Sequence, residues 1–107
     1  MINIDDFAKI EIKVGIVTEA SDVENSNKLI RLTVEVGEEK PRTIFTAVRT
    51  YGFTIGDFTG KKFLFATNLE PKKIMGEESQ GMILAVDSDS KPVFISAEGL
   101  PVGAKVR

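Results

Sequence analysis

The sequence predicts an all-β fold, a small barrel or sandwich of five or six short strands. Three observations carry that prediction. Apolar residues alternate with polar ones at period two in the first half of the chain. Apolar runs of strand length recur in the second half, and turn residues separate these segments at short, regular spacing. Helical periodicity is scarce. With 107 residues the chain suits a single domain, residues 1–107, holding one modest core.

The elements follow in order. Asn3-Ile4-Asp5-Asp6-Phe7-Ala8 has the composition of one helical turn with Asn3 as its N-cap. Ile10 to Val17 alternates as a half-buried first strand, and Gly15 within it suggests a bulge or bend. Ile30 to Val36 alternates cleanly as a second strand. Gly37-Glu38-Glu39-Lys40-Pro41 supplies turn chemistry, and Thr43 to Val48 resumes as a third. Residues 48–58 fit neither period. Lys62 to Thr67 and Gly81 to Val86 are apolar runs of strand length, and Pro92 to Ile95 is edge-like because proline cannot donate to a ladder.

Composition narrows the function. Histidine and cysteine are both absent. A His general base, a His- or Cys-based nucleophile pair, disulfides and thiolate or imidazole metal sites are therefore excluded. No apolar run approaches the roughly 20 residues of a membrane-spanning helix. The acidic start fits neither a signal peptide nor a transit peptide, so a cytoplasmic location is expected. The acid pairs Asp5-Asp6, Glu38-Glu39 and Glu77-Glu78 lie at a chain end, in a turn and in a Gly-flanked loop. There they stay solvated rather than forming a general acid/base pair with separated pKa values. Gly56-Asp57-Phe58-Thr59-Gly60-Lys61-Lys62 has one residue too few between its glycines for a phosphate-binding loop, and lacks the Ser or Thr after the Lys. Ser79 has no base beside it. The expectation is a non-enzyme without cofactor or metal.

The net charge of −2 hides an asymmetry. Residues 40–73 carry seven basic groups against two acids, and the remainder carries seven against fourteen. Such a basic stretch reads either as a local footprint for phosphates or as lysines that keep loops soluble. Within and after it runs Asn68-Leu69-Glu70-Pro71-Lys72-Lys73-Ile74-Met75-Gly76-Glu77-Glu78-Ser79-Gln80-Gly81-Met82. This loop offers two ammonium groups, an amide, a hydroxyl and a thioether between two apolar strands. Point charges suit phosphates, amide and hydroxyl groups suit base edges or ribose, and a flexible Met can pack on an unstacked base. Met82 reads equally as a core residue beneath a basic hairpin-like connection.

That segment closely resembles the Asn-Leu-x-Pro-(Lys/Arg)-(Lys/Arg)-x-x-Gly-x-x-Ser-x-Gly-Met signature of the tRNA-binding domain family. Members are appended to methionyl-tRNA synthetases and other synthetases, or stand free, and the CsaA proteins belong among them. Asp6-Phe7-Ala8-Lys9 through Val14-Gly15-Ile16-Val17 is similar to the family's opening motif, and Asn27-Lys28-Leu29 and Ile44-Phe45-Thr46-Ala47-Val48 fall at further family motifs. The resemblance covers about residues 4–107.

It implies an OB-fold, a five-stranded Greek-key barrel with short helical turns and terminal extensions. It implies a non-catalytic protein that binds tRNA by shape and backbone, commonly as a homodimer, and that can act in trans with an aminoacyl-tRNA synthetase. Under it, Lys13, Lys28, Lys72 and Lys73 contact phosphates, while Thr46, Asn68, Ser79 and Met82 line the groove. Several positions depart from the pattern. Lys13 stands for an Arg, Val23-Glu24-Asn25-Ser26 for a His-Pro-x-Ala loop, and Thr46-Ala47 for Ser-Gly. Glu70, Glu77 and Glu78 bring negative charge beside the lysines. The alternative implied by the same family is a CsaA-like export chaperone that accepts an unfolded peptide.

Overall fold

The structure, a computed structural model, describes residues 1–107. One helical turn, α1 (Ile4–Phe7), opens the chain. Asn3 caps it as expected: its side-chain oxygen accepts from the Asp6 N–H at 2.9 Å, and Asp6 reciprocates. The strands are β1 (Ile12–Asp22), β2 (Leu29–Glu35), β3 (Arg42–Ala47), β4 (Lys62–Ala66), β5 (Lys72–Ile74), β6 (Glu77–Ser79), β7 (Met82–Ile83), β8 (Ala85–Ser88) and β9 (Lys91–Phe94). The ambiguous segment 48–58 forms two 3₁₀ turns, Arg49–Tyr51 and Ile55–Asp57.

Five strands form one antiparallel sheet in the order β3-β2-β1-β4-β7. Its two edges meet. Gln80 N–H donates to the Thr43 carbonyl at 2.8 Å, and the Ser79 hydroxyl accepts from Phe45 N–H at 3.1 Å. The chain leading into β7 thus runs along β3 and nearly closes the barrel, which leaves little open edge. The jump from β3 across to β4 on the far side of β1 makes the Greek key. This is the OB-fold.

Period-two alternation decides what fills the barrel. Ile30, Leu32 and Val34 of β2 point inward, and Ile44, Phe63, Phe65 and Ile83 meet them. Phe58, between the second 3₁₀ turn and β4, plugs one end and is fully buried. The Gly56–Lys62 stretch therefore serves as a turn that delivers a core residue, and Gly60 N–H bonds the Val17 carbonyl at 2.8 Å.

Three local differences from the sequence reading have physical reasons. Gly15 makes no bulge; it pairs in regular register with Phe63. Glycine is required because a Cβ there would stand 2.7 Å from Cδ2 of Phe65 and 2.8 Å from Cγ1 of Val34. The irregularity lies instead between Val17 and Glu19. By bending β1 there, it lets the strand continue to Asp22 alongside β2, five residues beyond the expected end. The apolar run 81–86 divides at Leu84 into β7, which stays in the barrel, and β8, which leaves it to pair with β9. Pro92 then sits in a two-stranded hairpin with no further neighbour, as an edge proline must.

The C-terminal segment completes the sheet where β2 has left β1. Val14 N–H donates to Ala104 O, Gly103 N–H to Val14 O, and Val106 N–H to Ile12 O, all at 2.8–2.9 Å. No helix is long and apolar enough to cross a membrane.

Candidate nucleic-acid interface

In OB-folds, oligonucleotides bind on the outer face of the second and third barrel strands, between the loop joining strands one and two and the loop joining strands four and five. Here those parts are the outer face of β2–β3, residues 23–28, and residues 67–81. The register puts Leu29, Arg31 and Thr33 on that face opposite Ala47, Phe45 and Thr43.

The 67–81 connection is more ordered than a loop. Residues 72–79 fold into the β5–β6 hairpin, paired Lys72 with Ser79, Lys73 with Glu78 and Ile74 with Glu77. Met75 and Gly76 form its two-residue turn, with φ of 50° and 85°. Positive φ at both positions is the mark of a type I′ turn, whose twist suits a hairpin. The hairpin lies over β2–β3. Glu77 accepts two hydrogen bonds from Arg31, 2.9 Å from Nε and 2.7 Å from Nη2. Phe45, on the outer face of β3, is buried.

Alternation within the hairpin separates the two lysines. Lys72 shares a face with Ile74, Glu77 and Ser79, and Lys73 lies on the opposite face with Glu78. Lys72 lines a cleft of about 480 Å³ together with Lys28, Asn25, Asn27 and Met75. The 23–28 loop is held for this by Ser26, whose hydroxyl accepts from the Lys28 and Leu29 N–H groups at 3.3 and 3.2 Å. Arg49 donates to the Ser26 carbonyl at 2.7 Å and approaches Asp22 at 3.3 Å. Two ammonium groups from separate loops thus converge on one concavity beside the β2–β3 face.

The other candidate residues lie elsewhere or are engaged. Lys13 sits at the end of the barrel, 3.6 Å from the Glu11 carboxylate. It belongs to a polar network there. The Thr67 hydroxyl donates to Glu11 at 2.7 Å, and Arg42 donates to both oxygens of Glu38 at 2.8 and 2.7 Å. Arg42 also donates to the carbonyls of Thr67 and Gln80, tying β3 to both ends of the 67–81 connection. The Thr67 hydroxyl holds the Glu11 carboxyl below its ordinary value, and Arg42 does the same to Glu38. Thr46 is buried, opposite the inward-facing Ile30. The Asn68 amide accepts from Glu11 N–H at 2.8 Å and donates to Lys9 O at 2.6 Å, pinning the approach to β1. Ser79 is buried, accepting from Phe45 N–H and donating to Gly81 O at 3.3 Å. Met82 lies opposite Ala66 on the outside of the barrel and is about half exposed, so it is not core.

The basic stretch 40–73 does not act as one surface. Arg42, Arg49 and Lys62 are committed to carboxylates or carbonyls of the chain. Lys61 precedes β4 while Lys72 and Lys73 follow it, at opposite ends of a five-residue strand. Arg31, central to the β2–β3 face, lies outside that stretch and escapes a reading by charge runs. Its only sequence signal is a polar position in a strand whose alternate residues are all apolar.

The family described as "Putative tRNA binding domain" matches residues 12–105. The methionine–tRNA ligase of Methanococcus aeolicus is 41% identical over 106 residues; the alignment covers 99% of this chain and 16% of that enzyme. Among solved structures, the MetRS-related protein from Pyrococcus horikoshii superposes with a TM-score of 0.92 at 38% identity, covering 100% of this chain and 98% of that one. The CsaA chaperone protein from Picrophilus torridus superposes with a TM-score of 0.87 at 25% identity, covering each chain fully. The match of the family over almost the whole barrel, both flanking loops included, means that the chain belongs to the tRNA-binding domain family.

Proposed function

We propose that this protein binds tRNA without catalysing a reaction, reading shape and backbone through the β2–β3 face and its two flanking loops. The observation that carries the reading is the convergence of Lys28 and Lys72 on one cleft beside that face. Ammonium groups from two loops suit a phosphate backbone that curves between them, and a phosphate track carries little sequence information. Lys73 extends the positive charge on the solvent side of the hairpin, and Met82, half exposed on the outside of the barrel, is a supporting apolar contact. Thr46, buried opposite Ile30, would act only by shaping β3 from within. Lys13, Asn68 and Ser79 would act mainly by holding the barrel end and the 67–81 connection in place, because their polar groups already have partners within the chain.

The domain, residues 1–107, would work in the cytoplasm as a homodimer and act in trans with an aminoacyl-tRNA synthetase. The match to only 16% of a methionine–tRNA ligase's length supports a barrel that supplies tRNA affinity, distinct from the part of that enzyme that carries catalysis. An apolar cleft between α1 and the C-terminal residues, lined by Ile4, Phe7, Ile10 and Val106, supports pairing of two copies.

A gel shift or fluorescence titration with bulk tRNA over a range of salt tests the proposal. Lys28→Glu with Lys72→Glu should abolish binding at moderate salt, while Lys61→Glu, at the other end of β4, should bind as wild type. Each lost phosphate contact should flatten the slope of log affinity against log salt by about 0.7–0.9. Wild-type protein that ignores tRNA at low salt yet retains an unfolded polypeptide would favour the chaperone reading, which the likeness to CsaA supports.

A further inference from the structure

The central basic group of the β2–β3 face is already occupied by an acid from the same chain. Arg31 stands midway along β2, on the outer face, with Thr33 two residues on and Thr43 across the ladder. Its guanidinium donates to Thr33 Oγ1 at 3.4 Å from Nη1 and to Thr43 Oγ1 at 3.1 Å from Nη2. Both hydroxyls act as acceptors here and neither donates within the chain, so each keeps a proton for an outside acceptor. The remaining face of the fork, Nε and Nη2, is taken by the two oxygens of Glu77 at 2.9 and 2.7 Å.

A carboxylate held this way occupies the geometry that the two non-bridging oxygens of a phosphodiester would take, since the planar fork accepts either anion bidentately. The pair is reachable from solvent, with side-chain exposures of 35% for Arg31 and 46% for Glu77. Glu77 also sits on the hairpin that carries Lys72 and Lys73. A cleft of about 340 Å³ opens beside Arg31, with Thr18, Ser21 and Thr33 among its walls and Glu19 as the one opposing charge.

We propose that Arg31, with the hydroxyls of Thr33 and Thr43, is a phosphate subsite for the tRNA backbone, held closed in the free protein by Glu77 acting as an internal phosphate mimic. A backbone phosphate displaces Glu77 from the guanidinium, and the β5–β6 hairpin shifts as it is released. The proposal rests on the tRNA-binding reading above and deepens it. It makes Glu77 a gate, where simple charge counting reads it as a defect. No bond is made or broken; one anion replaces another on the same donors.

The test is a cycle of Glu77→Gln, Arg31→Gln and the double variant, titrated with bulk tRNA over a range of salt beside wild type. Glu77→Gln should bind roughly two- to fivefold more tightly, the worth of a half-exposed ion pair that the ligand no longer has to break. Its salt slope should match wild type or steepen by up to about 0.9, as a phosphate contact is made more fully. Arg31→Gln should bind more weakly, and the gain from Glu77→Gln should vanish on the Arg31→Gln background. Glu77→Gln that binds more weakly or unchanged, with its melting intact, overturns the proposal and leaves the pair a structural clamp. The unmutated protein gives a second readout that does not depend on a variant folding. The NMR signal of the Arg31 Nε–H should move on addition of tRNA, and a bound complex in which it stays fixed also overturns the subsite. Wild type that fails to bind tRNA at all removes the underlying reading and this inference with it. Binding by wild type without the Glu77 effect removes the inference alone.

Discussion

Replacing Gly15 by alanine would drive a methyl group to within 3 Å of the Phe65 ring and of Val34 Cγ1, both packed in the barrel centre. Neither neighbour has free space to move into, so the variant should lose about 1–3 kcal/mol of stability, read as a lowered melting temperature with tRNA binding retained below it. Ser79→Ala should act on stability too. Its hydroxyl is the acceptor for Phe45 N–H at the seam of the barrel, and alanine would leave that buried donor unpaired. The expected cost is about 1–3 kcal/mol in thermal or urea unfolding. Both residues are visible in the sequence as members of motifs, but the motif does not say what they do. Their roles depend on atoms that lie far away along the chain: Phe65 and Val34 for Gly15, and Phe45 for Ser79.

At the scale of elements, the connection 67–81 is held to the barrel by two arginines on successive strands, Arg31 on β2 and Arg42 on β3. The Arg42–Glu38 pair offers a pH-dependent test. Arg42 holds the folded carboxyl of Glu38 below its ordinary value of 4.5, so the folded chain takes up this proton less readily than the unfolded one. The pair therefore stabilises the fold above 4.5, and its contribution fades as the pH falls through the depressed value. Glu38→Gln should melt below wild type near neutral pH, by about 0.5–1 kcal/mol, and the two should converge in acid. A difference that persists unchanged at pH 3 would mean that packing, not charge, accounts for it. The β5–β6 hairpin is partly legible in the sequence, as a basic hairpin-like connection between two apolar strands. Its position over β2–β3 is not, because the ion pair that holds it joins residues 46 positions apart.

For the whole molecule, apolar surface at the two ends of the chain argues for self-association. Ile2 and Ile4 are largely exposed, and Ile4, Phe7, Ile10 and Val106 line a shared cleft of about 280 Å³. Isolated apolar residues on a surface are ordinary, but a contiguous set beside a cleft is a site for contact. Light scattering at micromolar concentration should give a mass twice 11.7 kDa. Ile4→Asp with Val106→Asp should yield the monomer without unfolding it, since neither residue belongs to the barrel core. If tRNA spans both copies of a dimer, the monomeric variant should also bind more weakly at equal subunit concentration, which the same titration reads.

Period-two alternation, the turn residues and two long motifs determined the all-β class, most strand positions and the family, because these properties are written within a few neighbouring residues. The absence of His and Cys likewise bounded the chemistry through composition alone. Only the tertiary structure decided which lysines share a surface. A strand sends Lys72 and Lys73 to opposite faces, and the loop 23–28 brings Lys28 to the side of Lys72. It also decided that Arg31 faces Glu77, that Met82 lies outside the barrel, and that the last residues pair with β1. Each of these depends on barrel closure, which brings distant segments of the chain together with a register that no local pattern encodes.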